Sequence, residues 1–432
     1  MSVTQDISTQ TNWRLATKIL FRFFFVYLFL NIFPFPFYYI GLIPGLGNTF
    51  SFYYEGLDQL CIWVGKYILN IPYELPMVPT GSGDTTTDYV FQFVILLITF
   101  ITTIIWSVID FKRSNYDKLL LYTRTLVRYY LIATMFSYGF SKAFTLQFSE
   151  LRNIDLIKPF GNQSPMGLMW NFMEYSDTYT RFSGYAEIIA GILLIFRKTT
   201  LLGALMVVGV MFNVFMMNMS YDIPVKLYSA LLTIMGVFIL APDIKNILNF
   251  FVLNKEVKPK KIPQYFTKKK LKIAAIVIKT LVIGYLFYTN IEGSLEGEKQ
   301  WGKKAPKSAL FGIYEVKEFI KNNDTLPPLT TDTIRWKRLI VDKRYSNIQT
   351  MDETFIRLKE KTDSTSQKLN LISYSDSTDV RNFSYKIKDS IYIFEGTYKC
   401  DHLQIVTKKK EREEFLLINR GFRWINEKPF NR

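Results

Sequence analysis

The sequence predicts an α-helical polytopic membrane protein with about seven transmembrane helices, followed by a soluble, antiparallel β-rich domain that is either a barrel or a sandwich. Two observations support this fold class. Of the 432 residues, 49% are hydrophobic and 16% aromatic, and before residue 290 they form runs long enough to cross a bilayer. After residue 310, apolar and polar residues alternate with period two between turn residues, which is typical of strands with one buried face.

The positive charge of the chain lies beside the apolar runs. The formal net charge is +16, and basic clusters occupy residues 112–113, 197–198, 258–261 and 268–272. Lysine and arginine beside membrane spans mark the cytoplasmic ends of those spans and can attract anionic lipid. The charge therefore indicates a lipid bilayer as the partner and argues against nucleic-acid binding.

Cysteine and histidine are scarce. The chain contains Cys61, Cys400 and His402 and no others of either type. These three residues cannot supply a CxxC pair, a cluster of zinc ligands or two haem-ligating histidines. We therefore predict no metal site and no covalently bound cofactor, and we leave open whether the two cysteines are bridged.

The N-terminal region is predicted to hold two spans. Residues 1–14 are polar and are expected to be disordered, and residues 15–125 form the membrane region, with spans at about 15–40 and 89–109. The acidic connection between the spans contains FYYEGLDQLCIWVGKYIL (52–69). Its apolar spacing and aromatic anchors indicate an amphipathic helix lying at the interface.

A core of four apolar segments is predicted over residues 126–243, with spans at 129–148, 181–196, 200–219 and 224–241. A basic cytoplasmic linker and a seventh span (273–288) make up residues 244–290. A linker rich in Gly and Lys covers residues 291–309, and the β-rich domain covers residues 310–432. Eight or nine strands are expected there, the last of them in EFLLINRGFRWI (414–425).

The loops predict an orientation. If seven spans alternate from a cytoplasmic N-terminus, every basic connection falls on one side and every acidic or neutral connection falls on the other. The basic connections are 110–128, 197–198 and 243–272, and the others are 41–88, 149–180 and 220–223. We therefore predict a multi-pass protein of the bacterial cytoplasmic (inner) membrane with a periplasmic C-terminal domain.

Polar side chains of the four-segment core are predicted to meet in the outer half of the membrane. Lys142 lies about 9 Å before its segment emerges at the outer surface, and Glu187 lies at a similar depth on the next segment. Ionisable groups in hydrocarbon mark functional sites by default. We therefore assign Lys142 and Glu187 as candidate catalytic residues. The candidate ligand-binding residues share this outer half: Tyr138, Asn213, Asn218, Asp222 and Lys226.

Structural roles are the alternatives for the same residues. Lys142 and Glu187 can form an ion pair that only fixes helix packing, because desolvation can cancel the attraction between the charges. Asn213 and Asn218 can join helices through hydrogen bonds. Asp222 and Lys226 flank Pro224 and can simply be interfacial.

Three motifs of the core resemble the DoxX/DoxD family of small membrane proteins. They are YGFSKAF (138–144), GYAEIIAGILLIFRKTTLLGA (184–204) and VKLYSALLTIMGVFILAPD (225–243). The family's Gly-x-x-Lys corresponds to Gly139 and Lys142, and its Glu-x-x-x-Gly to Glu187 and Gly191. The chain departs from the family at 197–198, where Arg-Lys replaces a common Gly-x-x-Thr-Arg turn. The resemblance implies a link to thiosulfate:quinone oxidoreduction or to redox-stress complexes.

The C-terminal domain has a weaker resemblance. LFGIYEVKEF (310–319) is similar to the start of a lipocalin, where Gly-x-Trp closes the base of the barrel, and Tyr314 stands in place of that Trp. This resemblance implies a lipocalin-like barrel that carries an apolar ligand.

Two functional hypotheses follow. In the first, the protein is a DoxX-like subunit of a quinone-linked or sulfur-redox complex that binds a small ligand, with quinone as the candidate cofactor, in an outer-leaflet pocket. Lys142 is then the cation and proton donor, and Glu187 is its counter-charge. In the second, the protein is a non-enzymatic envelope binding or assembly protein whose periplasmic β domain binds an apolar ligand or a protein partner. The scarcity of cofactor-binding residues favours the second hypothesis, and the family resemblance favours the first.

Overall fold

The computed structural model describes residues 12–37, 49–257 and 268–431. The chain divides into two compact units, each built from two stretches of sequence. The helical unit consists of Met1–Gln147 and Thr178–Ser294, and the barrel unit consists of Phe148–Asp177 and Leu295–Arg432. Most of the predicted disordered N-terminus, at residues 1–11, lies outside the described residues, as do residues 258–267 of the basic linker.

The described helices are α1 to α12. Their bounds are α1 Leu15–Ile32, α2 Ser51–Tyr67, α3 Thr86–Ile109, α4 Asp117–Ala143, α5 Asn153–Ile157, α6 Pro165–Tyr175, α7 Asp177–Ile195, α8 Thr200–Ser220, α9 Lys226–Leu240, α10 Ile244–Phe251, α11 Lys269–Gln300 and α12 Leu416–Asn419.

Seven of these helices coincide with the seven predicted spans, and α2 coincides with the predicted interfacial helix. Among the described residues, five segments are long and apolar enough to cross a membrane by length and composition. They are Leu15–Ile32, Thr86–Ile109, Thr200–Ser220, Lys226–Phe251 and Lys269–Gln300. The other two predicted spans lie in α4 and α7, which carry the charges of Lys142 and Glu187. The predicted membrane fold class is confirmed.

Two helices extend beyond their predicted bounds. Helix α4 begins at Asp117 rather than 129, because the basic stretch before the apolar run is itself rich in the helix formers Leu, Lys and Arg. Helix α11 continues to Gln300, so the linker predicted at 291–309 is helical over its first ten residues. Glu, Lys and Gln side chains support that extension despite two glycines, since Gln300 donates to Glu296 at 2.8 Å one turn earlier.

Glycine sets the distance between α4 and α7. A Cβ atom built on Gly184 would lie 2.6 Å from the carbonyl oxygen of Gly139 and 2.7 Å from the backbone nitrogen of Ala143. These are backbone atoms, so no side-chain rotation could relieve the clash. The two helices therefore approach as closely as they do because neither position carries a side chain, as is common between membrane helices.

The described residues of the barrel unit form nine strands. Their bounds are β1 Gly312–Lys321, β2 Asp324–Thr325, β3 Trp336–Val341, β4 Ser346–Thr350, β5 Phe355–Asp363, β6 Lys368–Ser373, β7 Val380–Lys388, β8 Ile391–Tyr398 and β9 Asp401–Lys410. Strands β3 to β9 pair in sequence order, and β1 pairs with both β3 and β9. All pairs are antiparallel. The sheet is thus a closed eight-stranded barrel, with β2 as a short hairpin partner of β1.

Side chains fill the interior of the barrel. Tyr314, Phe319 and Phe394 are fully buried, and the ring of Tyr314 lies 4.8 Å from that of Tyr392. The ring of Trp336 lies 6.1 Å from Phe319 and 5.6 Å from Phe383. The alternating apolar residues that predicted the strands therefore form an aromatic core, as small barrels do.

The ninth predicted strand, in residues 414–425, is wrong. Helix α12 occupies Leu416–Asn419 after a 3-10 turn at Arg412–Glu414, and both lie beyond β9. Strand β9 already pairs with β8 on one side and β1 on the other, so among the described residues β9 has no free edge for a further strand.

The barrel unit also includes residues 148–177, which we call the insert. We predicted this stretch only as part of an acidic or neutral outer loop. Asp342 accepts hydrogen bonds from the backbone nitrogens of Asn153 (2.6 Å) and Ile154 (3.2 Å) at the start of α5. Arg412 donates to the side chain of Asn153 at 2.5 Å and to the carbonyl of Leu151 at 2.7 Å. Side chains just beyond the ends of β3 and β9 thus hold the insert against the barrel.

Candidate functional site

A buried ion pair joins α4 and α7. The Lys142 ammonium lies 2.7 Å from one carboxylate oxygen of Glu187 and 2.9 Å from the other. Lys142 is 7% exposed and Glu187 is 1% exposed. The structure therefore brings together the two candidate catalytic residues that the sequence singled out.

The close helix approach makes this contact possible. Gly139 and Gly184 lie three residues before Lys142 and Glu187 respectively, so the backbones touch one turn away from the charges. Tyr138 covers the ammonium from its own helix, with its ring centroid 5.5 Å from the Lys142 nitrogen. Attraction between a cation and an aromatic face adds to the ion pair where water is excluded.

A cavity of about 610 Å³ lies in the helical unit, and Tyr138 is one of its walls. The segment after α1 contributes to it, as do α4, α9 and α11. The lining residues are Phe35, Tyr130, Ala133, Thr134, Ser137, Tyr138, Tyr228, Tyr285, Leu286, Thr289 and Asn290.

The lining is polar without being charged. Four tyrosines, three aliphatic hydroxyls and one amide are combined with apolar surface, and the described lining has neither a carboxylate nor an amine. The hydroxyls of Tyr130 and Tyr228 lie 3.0 Å apart across the cavity wall. Thr134 and Thr289 donate to the carbonyls four residues earlier in their own helices. Such a surface suits an uncharged, flat ligand that bears hydrogen-bond acceptors.

Tyr138 connects the cavity to the ion pair. It lines the cavity, lies against the Lys142 ammonium, and its ring centroid lies 6.3 Å from that of Tyr228. Of the five residues predicted to bind ligand, Tyr138 is the one that the structure places at the cavity.

The other four predicted ligand residues lie elsewhere, along α8 and the turn into α9. Asn218 donates to the carbonyl of Val225 (3.1 Å) and the hydroxyl of Ser229 (3.0 Å), so it joins the two helices. Lys226 lies between Asp222 (3.3 Å) and Asp84 (3.7 Å). Asn213 is exposed on α8, and its amide lies 3.7 Å from the sulfur of Met217.

Asp84, the acid near Lys226, caps the start of α9. The carboxylate of Asp84 accepts hydrogen bonds from the backbone nitrogens of Lys226 (2.7 Å) and Leu227 (3.0 Å). It therefore satisfies free N–H groups at the start of α9 and complements the positive end of that helix.

Most of the cavity lining was not predicted from the sequence. Tyr130, Thr134 and Ser137 lie at helical spacing on one face of α4, and Tyr285 and Thr289 repeat the pattern on α11. A row of hydroxyl side chains along one face of an apolar helix could therefore have predicted this wall of the cavity. The site prediction depended on charged residues and amides of the core, and it included only one of these hydroxyl residues, Tyr138.

A bacterial relative places the chain in a family. No family model matches the chain, and no solved structure matches it. The chain is 30% identical over 125 residues to the uncharacterized protein YwoB of Bacillus subtilis (strain 168). The match covers 29% of this chain and 79% of the relative. This chain belongs to the YwoB family. YwoB is described only as uncharacterized, so membership of the YwoB family brings no activity with it.

Proposed function

We propose that the protein is a quinone-binding subunit of a membrane redox complex, with the quinone ring held in the tyrosine-lined cavity. The observation that carries the proposal is the contact of that cavity with the buried Lys142–Glu187 pair through Tyr138. The resemblance of residues 138–144 and 184–204 to DoxX proteins supports the same assignment.

The cavity fits a quinone in size and chemistry. Its volume of about 610 Å³ lies within the usual range for small-molecule sites. Quinone carbonyls accept hydrogen bonds, and the wall carries the hydroxyls of Tyr130, Tyr138 and Tyr228. One hydroxyl of the Tyr130–Tyr228 pair donates to the other, so at most two of the three can donate to a ligand at once. Tyrosine and phenylalanine rings offer flat faces to an aromatic or quinonoid ring.

The ion pair supplies charge and a proton beside the cavity. A bound quinone brings two-electron, two-proton redox chemistry, with the electrons coming from a partner protein of the complex. Lys142 holds a positive charge next to Tyr138 and would donate one of the two protons. Water would supply the second proton and would reprotonate Lys142. Glu187 keeps that ammonium in place through two hydrogen bonds and balances its charge.

The basic loops support a location in the bacterial inner membrane with a cytoplasmic N-terminus. In that orientation the Lys142–Glu187 pair lies in the outer half of the bilayer, and the barrel unit is periplasmic. The barrel unit is then available to contact an envelope protein that belongs to the same complex.

The test measures quinone that co-purifies with the full-length protein. Membranes containing quinone are solubilised gently, and bound quinone is extracted and quantified by mass spectrometry. We expect wild type to retain quinone, and we expect Tyr138→Phe and Tyr228→Phe to reduce it several-fold because each removes a wall hydroxyl. Tyr185→Phe is the matched control, because Tyr185 is 50% exposed on α7 and is not a lining residue.

Equal quinone content in all four proteins would contradict the proposal. A protein that retains no quinone but co-purifies with an envelope protein would favour the second hypothesis, that of an assembly factor. The filled barrel interior argues against ligand carriage within that hypothesis, because Tyr314, Phe319 and Phe394 occupy the space that an apolar ligand would need. Protein docking, rather than ligand carriage, is thus the form of the second hypothesis that the barrel supports.

A further inference from the structure

Large apolar side chains are exposed on the barrel unit after strand β9. Phe422 is 78% exposed, Trp424 is 91% exposed and Ile425 is 77% exposed. The ring centroids of Phe422 and Trp424 lie 5.1 Å apart. We call Phe422, Trp424 and Ile425 the aromatic tip. Single exposed apolar residues are ordinary, but adjacent ones mark an interaction surface.

The aromatic tip lies on a loop whose two ends are joined. Arg420 donates to the side-chain oxygen of Asn426 at 2.5 Å, and its guanidinium lies 4.6 Å from the ring centroid of Phe430. Asn426 donates to the carbonyl of Arg423 at 3.2 Å. Gly421 enters the loop with φ at +59°, a conformation that glycine adopts without strain. These contacts close a loop that presents the aromatic tip to its surroundings.

Cations accompany the aromatic tip. Arg423 and Lys428 are exposed on the same loop, together with the acid Glu427. With Arg420, three cations and one carboxylate give residues 420–430 a formal charge of +2. Tryptophan and phenylalanine flanked by lysine or arginine are typical of segments that lie at the surface of a bilayer. There the rings lie at the level of the headgroups, and the cations are attracted to anionic lipids.

Acidic residues precede the loop, in the 3-10 turn before α12. Glu414 accepts a hydrogen bond from the backbone nitrogen of Glu411 at 2.9 Å, and the Glu411 carboxylate lies 3.6 Å from the Lys409 ammonium. These acids reduce the net positive charge of the whole segment after β9. Apolar side chains are therefore the main attraction to a bilayer, and anionic lipid adds to it.

The aromatic tip is small for a protein interface. An aromatic side chain buries about 150 to 250 Å², so the three side chains together offer about 500 Å². A stable protein–protein interface takes about 800 Å² from each partner. The aromatic tip alone therefore does not suffice to hold a partner protein that diffuses freely.

A bilayer is already within reach of the barrel unit. Residues 301–311 connect β1 to α11, which is long and apolar enough to cross a membrane. Eleven residues reach at most about 40 Å when extended. The chain therefore keeps the barrel unit near lipid at a high effective concentration, at which a small apolar loop is sufficient for binding.

We propose that the aromatic tip inserts into the headgroup region of the bilayer that contains the protein's own helices, with Arg423 and Lys428 at the lipid phosphates. This contact is separate from the tyrosine-lined cavity, and it does not depend on whether that cavity binds a quinone.

The experiment places a fluorescent label beside the aromatic tip of the full-length protein. The label is attached to Ile425→Cys in a Cys400→Ser background, since Cys61 is buried. The labelled protein is placed in nanodiscs of phosphatidylcholine with or without a lipid that carries a doxyl quencher near its headgroup. We expect the quencher lipid to reduce the emission several-fold.

A label on Cys400 of the otherwise unchanged protein is the positional control. Cys400 is exposed in the turn before β9, and the ten residues of that strand separate it by about 30 Å from the end that leads to the aromatic tip. We expect the quencher lipid to have little effect on this label.

Two double variants, made in the background labelled at position 425, test the side chains. Phe422→Ser/Trp424→Ser should abolish the quenching, whereas Val380→Ser/Ile387→Ser, at exposed apolar positions of β7, should keep it. All four side chains are outside the buried core, so the melting temperature should stay at the wild-type value and confirms folding.

Anionic lipid tests the two cations. Addition of phosphatidylglycerol to the nanodiscs should increase the quenching at position 425. In the same labelled background, Arg423→Gln/Lys428→Gln should lose this increase and keep the quenching that phosphatidylcholine alone supports, because the apolar side chains remain.

Three results would overturn the proposal. An unquenched label at position 425 with the emission of a fluorophore in water would leave the aromatic tip in solvent. A blue-shifted emission without quenching would place it against protein, either a second copy or another partner. Equal quenching at positions 400 and 425, or full quenching in Phe422→Ser/Trp424→Ser, would show that the aromatic tip does not direct the contact with lipid.

Discussion

At the scale of single residues, the Lys142–Glu187 pair allows its structural and functional roles to be separated. Removing Lys142 leaves the Glu187 carboxylate buried at 1% exposure without its partner. We expect Lys142→Ala to destabilise the helical unit by about 3 to 5 kcal/mol, the usual cost of breaking a buried pair from one side. Thermal unfolding of the full-length protein in nanodiscs measures this loss.

A double variant that removes both charges tests whether the ion pair has a role beyond stability. Lys142→Met/Glu187→Leu removes both charges and keeps the volume, and such replacements are often neutral or stabilising. We therefore expect it to recover most of the stability lost in Lys142→Ala while its quinone content stays low. Normal quinone content in the stable double variant would show that the pair serves packing alone.

The pair was predictable from the sequence, and the cavity was not. A lysine and a glutamate inside apolar runs stand out because their burial is costly and demands a partner. Tyrosine and threonine hydroxyls can satisfy themselves within their own helix, as Thr134 does by donating to the carbonyl of Tyr130. Their presence in an apolar helix therefore does not indicate a partner on another helix. Only the packing of four segments brings them together.

At the scale of helices, the contact between α4 and α7 depends on glycine. A methyl group on Gly184 would lie 2.6 Å from the oxygen of Gly139, which can move only if the helices separate. Alanine is favoured over glycine in a helix by about 1 kcal/mol, but overpacking costs about 1 to 3 kcal/mol. We expect Gly184→Ala to lower the melting temperature and to weaken ligand retention, because Glu187 moves away from Lys142.

Gly209 on α8 is the matched control. A Cβ atom built there meets nothing within 4 Å, so Gly209→Ala should be neutral or mildly stabilising. Equal melting temperatures for the two variants would mean that the close approach of α4 and α7 does not hold the bundle together.

Helix positions were predictable, whereas helix lengths were not. Apolar runs located α1, α3, α8 and α9 within a few residues, except that the first span was expected to continue to about residue 40. Helix α1 ends at Ile32, just before the two prolines of the FPFP sequence, and proline cannot continue the hydrogen-bond ladder of a helix. The early start of α4 and the late end of α11 lie in charged sequence, where hydropathy carries no signal.

At the scale of the whole molecule, the barrel unit is discontinuous in sequence. The strand pattern located eight of its strands, because alternation is local information. It could not show that residues 148–177 join the barrel unit, because that association depends on contacts between residues far apart in the chain. Asn153 and Asp342 are 189 positions apart, and neither is distinctive in its own segment.

The insert carries a carboxyl group that makes its docking depend on pH. Burial, and to a lesser degree the nearby charge of Asp155, raise the pKa of Glu174 on α6 from 4.5 to about 7. In the unfolded insert the group titrates at its ordinary value. Between these two values the docked state holds a proton that the unfolded state has lost, so stability falls as the pH rises from about 4.5 to about 7.

Glu174→Gln removes this dependence, because glutamine resembles the protonated acid at every pH. We expect the variant to be more stable than wild type at pH 8 by about 1 to 3 kcal/mol, and nearly equal to it at pH 4.5. Hydrogen exchange of peptides from residues 148–177 in the full-length protein, corrected for intrinsic rates, measures the opening free energy at each pH. Glu427→Gln, at an exposed position of the same unit, is the control and should follow wild type. The prediction fails if the opening free energy of wild type, compared with that of Glu174→Gln, does not decrease when the pH is raised from 4.5 to 8. That result would mean that Glu174 is ionised in the docked insert.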